Sequence, residues 1–126
     1  MSNEISYNFQ ILLNNGTLKD QYSSGSIAAT QSVAALVRNV QNIVAVPAHT
    51  ALNLGSVGVL GTPGFAVFQN LDLVNYIEIG IDVAAAFHPF MKLKPGEQGM
   101  LRLGTAAPYA LANTLPVDLF YVIYAN

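Results

Sequence analysis

No segment of this chain runs far before a turn signal interrupts it. The Asn-Asn-Gly of 14–16, Gly25, the Gly-Thr-Pro-Gly of 61–64, Asn70–Asn75 and the Pro-Gly of 95–96 cut it into short pieces. Asn and Gly tolerate positive φ, and Pro presets the second position of a turn, so the chain can reverse at each of these sites. The glycines of ALNLGSVGVLGTPGF (51–65) bar a long helix. Between signals, apolar residues tend to alternate. Ile5, Tyr7, Phe9, Ile11 and Leu13 alternate with Ser6, Asn8 and Gln10, which predicts a strand over 4–13 with one buried face.

The stretch FQNLDLVNYIEIG (68–80) tests this reading. As one strand, it would put Asn70, Asp72 and Asn75 in odd places. As two strands, Phe65–Phe68 and Tyr76–Ile81, around a turn over Asn70–Asn75, it makes sense, because Asx side chains bond the turn backbone. In the second strand Tyr76, Glu78 and Gly80 share one face and Ile77, Ile79 and Ile81 the other. Further on, Pro95 and Gly96 hold the second and third positions of a type II turn closed by Glu97.

The remaining segments follow the same logic. LKDQYSS (18–24), Leu52–Leu54, Val57–Leu60, Met91–Leu93 and Met100–Leu103 read as short extended pieces. Val83–Phe90 reads as a connection ending near Pro89, and ALANT (110–114) as either extended or one helical turn. Over Ser26–Val46, Val33, Val37, Val40 and Val44 fit helical spacing. The many β-branched residues favour two extended segments, with a short helix as the alternative. VDLFYVIYA (117–125) is apolar on both faces, as in a central strand or one buried between subunits. About eight short strands with turn signals at this spacing predict an all-β antiparallel β-sandwich or jelly roll. One domain over 1–126 is expected, with 1–8 as a docking arm.

Composition narrows the partners. Apolar residues make up 52% and charged residues only 10%, against roughly 25% charged in an ordinary domain. Part of the outside is therefore expected to be covered by other copies or a partner. Five Lys and Arg do not build a phosphate-neutralising patch, so nucleic acid is not an expected partner. No apolar run approaches the ~20 residues of a transmembrane helix, and MSNEISYNF does not read as a signal peptide. With no cysteine, disulfides and Cys-ligated metals are excluded.

Candidate chemistry is sparse. His49 and His88, with Asp82 or another carboxylate, make a conceivable metal site but lack ligand spacing. The side-chain oxygens of Asn70, Asp72 and Asp82 are of the type that ligates calcium, but an Asx turn accounts for the first two better. No serine sits in a GxSxG elbow, and LGSVGVLGTPG (54–64) lacks the P-loop pattern. The chain therefore reads as non-enzymatic, with no cofactor. Tyr76, Tyr109, Phe120, Tyr121 and Tyr124 are candidate interface residues; exposed tyrosines also suit a carbohydrate-binding module.

The sequence NLDLVNYIEIGID (70–82), then FHPFMKLKPGEQGMLRLG (87–104) and the terminal DLFYVIYAN, resembles a layout in small virion proteins of tailed bacteriophages. The motif positions are Asn70, Leu71, Asp72, Asn75, Tyr76 and Gly80, then Lys92, Leu93, Lys94, Gly96 and Glu97. The resemblance spans roughly Leu52 to the end and is best met by capsid decoration, or cement, proteins. It implies a homotrimer on the outer capsid surface that binds the major capsid protein, assembled in the host cytoplasm. Asn70, Asp72, Asn75, Pro95, Gly96 and Glu97 would then be turn-shaping residues. A tail or fibre component is the other reading within the same resemblance.

Overall fold

The computed structural model describes residues 4–55, 57, 62–104 and 107–126. The expected strand Val57–Leu60 lies outside them apart from Val57. The chain divides into two compact units, Met1–Ser32 and Val33–Asn126. All strand pairing in both units is antiparallel.

In the first unit, β1 (Ile5–Tyr7) pairs with β4 (Ile27–Ala29), and β2 (Gln10–Asn15) forms a hairpin with β3 (Leu18–Ser23). The single strand expected over 4–13 is thus broken at Asn8 and Phe9, and residues expected in a docking arm lie in β1. Gly16, with φ of 60°, opens the two-residue hairpin loop as in a type II′ turn. No described residue of this unit is buried.

The second unit holds β5 (Leu36–Ile43), β6 (Thr50–Ala51), β7 (Pro63–Asn70), β8 (Ile77–Val83), β9 (Ala86–Leu93), β10 (Gln98–Arg102), β11 (Tyr109–Ala112) and β12 (Val117–Ala125). They form two four-stranded sheets, ordered β10-β7-β12-β5 and β6-β11-β8-β9. Every connection crosses from one sheet to the other except the β8–β9 hairpin. Eight strands in this order are a jelly roll. The doubly apolar β12 is central, between β7 and β5. Ile43, Phe68, Ile77, Ile79, Leu119 and Ile123 are fully buried in the shared core.

Two further features depart from the sequence reading. Val83–Phe90 is a tight hairpin rather than a connection. Its turn residues Ala84 and Ala85 both take positive φ, 51° and 67°, the signs of a type I′ turn. Tyr121, expected at an interface, is 0% exposed and belongs to the core. Its hydroxyl donates to Gln41 Oε1 (2.8 Å) and the Asn53 carbonyl (2.9 Å), as alternative acceptors, and accepts from Asn39 Nδ2 (3.2 Å) and the Asn53 N–H (3.0 Å). A buried phenol needs such partners, and two neighbouring elements supply them.

Candidate functional site

The turn residues singled out in the sequence converge at one end of the jelly roll, and Asn70 joins them. Its side chain is fully buried. Nδ2 donates to the carbonyls of Asn75 (2.8 Å) and Leu93 (3.1 Å), and Oδ1 accepts from the Asp72 N–H (2.9 Å). The Asn70 backbone N–H donates to Glu97 O, and its carbonyl accepts from Gly96 N–H. One residue therefore ties the β7–β8 turn to the β9–β10 turn. Each turn is also closed on itself. Asp72 Oδ2 accepts from Val74 N (3.2 Å) and Asn75 N (2.5 Å). Glu97 Oε1 accepts from Lys94 N (2.7 Å), with Pro95 between them and Gly96 at φ of 77°. The Asn75 amide holds the Asp72 carboxyl below its ordinary value, against some desolvation.

Two further loops meet this end. Leu71 N–H donates to Asp118 O, Asn113 N–H to Tyr76 O, and Val46 N–H to Ala112 O. The loops after β5, β7 and β11 are thus tied to one another or to strand ends. What they present is apolar. Leu73 is 89% exposed and Val74 81%, with Leu71, Leu115, Val44 and Val46 also exposed. Exposed apolar residues held on hydrogen-bonded loops would lose little entropy on binding a partner. The sequence reading assigned the polar residues of 70–75 to turn shaping and left Leu71, Leu73 and Val74 without a role. The available signal was three apolar residues in a turn, where no core demands them.

The expected interface aromatics do not gather at this end as a group. Phe120 and Tyr124 lie on the outer face of the first sheet, half-buried, with Arg38 5.9 Å from the Phe120 ring centroid. Tyr76 and Tyr109 are half-buried by the second sheet. The Lys92 ammonium sits 3.9 Å from the Tyr76 ring centroid, covering one of its faces. Tyr109 meets the His49 ring edge-on at 5.3 Å.

His49 is drawn into a close contact with Asp82. Its Nε2 lies 2.5 Å from Asp82 Oδ2, and Phe87 stacks on its ring at 5.4 Å. Asp82 Oδ1 accepts from the Ala85 N–H at 3.1 Å, so one carboxylate holds both His49 and the β8–β9 turn. The His49 contact holds the Asp82 carboxyl below its ordinary value; desolvation opposes it and the Ala85 amide assists. Among the described residues, no three His, Cys, Asp or Glu side chains come together as metal ligands. The pair is a latch between the loop before β6 and the β8–β9 turn.

Compared with protein-family models, with curated proteins and with solved structures, the chain matches none.

Proposed function

We propose that this chain is a non-enzymatic structural protein of a tailed-phage virion. In this reading it is a capsid decoration protein that binds the major capsid protein and stabilises the head from its outer surface. The observation that carries the reading is the apolar loop end, with Leu73 and Val74 projecting from a turn locked by Asn70 and Asp72. A projecting, rigid pair of apolar residues suits a pocket on a partner protein, where such anchors carry most of the binding energy. The jelly roll supports it, since viral capsid domains use this architecture, although a fold hosts many functions and the surface must carry the argument. The low charge content agrees with a protein that spends its surface on contacts.

The test is co-sedimentation of the purified protein with shells assembled from the major capsid protein of the same virus. The unaltered protein is expected to pellet with the shells. Leu73→Asp with Val74→Asp should weaken binding by ~100-fold or more, with an unchanged melting temperature because both positions are exposed. Failure of the unaltered protein to bind shells would remove the capsid reading. Label found on tails of intact virions would favour the tail or fibre reading instead.

A further inference from the structure

We infer that the β2–β3 hairpin is a self-association element whose apolar face packs against the same face of a second copy of this chain. The register sets which side chains share that face. Ile11 stands opposite Tyr22, Leu13 opposite Asp20, and Asn15 opposite Leu18. Phe9 extends the row, its ring 5.6 Å from that of Tyr22. Phe9, Ile11, Leu13, Leu18 and Tyr22 thus make a largely apolar face, which also carries Asp20 and Asn15. The other face carries Gln10, Leu12, Asn14, Lys19, Gln21 and Ser23 and is polar apart from Leu12.

That apolar face is uncovered. Its five large side chains are 39% to 61% exposed. A two-stranded hairpin is at best marginally stable in water without something to pack on, and its own unit offers no core, since none of the described residues of 4–32 is buried. Taking ~200 Å² as the full surface of a large apolar side chain, these exposures leave roughly 500 Å² on each copy. Two copies would together bury about 1,000 Å² there, the least that a biological interface is expected to bury.

A second copy fits the face better than a foreign protein. Homomeric interfaces are more apolar than transient ones, and Asp20, opposite Leu13, is the one charge this face carries. An apolar face of this size also needs cover as soon as the chain is made. A copy of the same chain is present wherever that happens. The inference does not depend on the capsid reading, because it concerns the purified protein alone.

Native mass spectrometry of the full chain at micromolar concentration tests it. The unaltered protein should be a dimer or higher oligomer. Ile11→Lys with Leu18→Lys should raise the dissociation constant by ~100-fold or more. Leu12→Lys, at a position 72% exposed on the opposite face, should leave it within about twofold. In the unaltered chain, hydrogen-exchange protection of the β2 and β3 amides should rise with protein concentration. A monomeric unaltered protein, equal weakening by Leu12→Lys, or hairpin protection independent of concentration would each overturn the inference.

Discussion

Asn70 Nδ2 donates to the carbonyl of Leu93 at 3.1 Å, across 23 positions of sequence and within the buried interior. The same amide bonds Asn75 O, and its oxygen caps Asp72. Two turns thus share one side chain, and the apolar loop end depends on it.

Asn70→Ala removes all three side-chain bonds and takes this donor from the buried Leu93 carbonyl and the part-buried Asn75 carbonyl. Unpaired buried groups cost ~1–3 kcal/mol each, partly relieved by water entry. A loss of about 3 kcal/mol is expected, or roughly 12–24 °C in melting temperature for a unit of this size. Thermal unfolding followed by circular dichroism measures it. A shift of only a degree or two would mean that the turns hold without this side chain.

Gly80 occupies the bulge where the β8–β9 register slips. A Cβ there would collide with the His88 carbonyl and stand 2.6 Å from Pro89 Cα, both of them backbone. Gly80→Ala must therefore move a strand, and a loss above ~3 kcal/mol or failure to fold is expected. Gly104 has nothing within 4 Å of an added Cβ, so Gly104→Ala should change stability by less than about 0.5 kcal/mol. Equal melting temperatures for the two variants would contradict the tight crossing at Gly80.

The β8–β9 turn is closed by Ala84 and Ala85 at φ of 51° and 67°. L-residues other than Gly, Asn and Asp occupy this region at a cost. The Asp82 carboxylate supports the turn by accepting from Ala85 N–H. Replacing the pair with Asn-Gly should relieve the strain and keep the amide donor. A gain of ~1 kcal/mol is expected, or about 4–8 °C. An unchanged or lower melting point would show that the two alanines are not strained.

These positions also explain what the sequence could and could not reveal. The turn over Asn70–Asn75 was legible because its shape is set by Asx side chains bonding their own backbone, a local effect. The terminal strand was legible as central because both its faces are apolar. Ala84 and Ala85 carry no turn signal, so the hairpin they close was read as a connection. Asp82, which supports that turn from two residues away, gives no local cue. Tyr121 was misread for a different reason. When both faces of a strand are apolar, alternation does not tell which one is inward, and the buried hydroxyl is satisfied by Asn39, Gln41 and Asn53, which are remote in sequence. The loop end was half legible, in its polar framework but not in the apolar residues the framework holds out.

Acid should expose the two capped carboxylates. Asp72 and Asp82 both have folded pKa values below the ordinary 3.8, the first chiefly through the Asn75 amide and the second chiefly through His49. A depressed folded value means that the unfolded chain takes up the proton first. The stabilisation is therefore fully present above about pH 5, begins to fade near the unfolded value, and is gone once pH has fallen through the folded values. Melting temperatures measured from about pH 6 down to about pH 2 should fall for the unaltered protein. The Asp72→Asn, Asp82→Asn double variant should start lower at pH 6 and fall less steeply, because two of the groups that couple stability to protons are gone. His49 gives a second reading of the same pair. If Asp82 is its partner, the His49 ring resonances recorded by NMR at one fixed pH should move in Asp82→Asn relative to the unaltered chain. Parallel stability curves together with unmoved His49 ring resonances would show that neither carboxylate is tied to the fold as the hydrogen bonds imply.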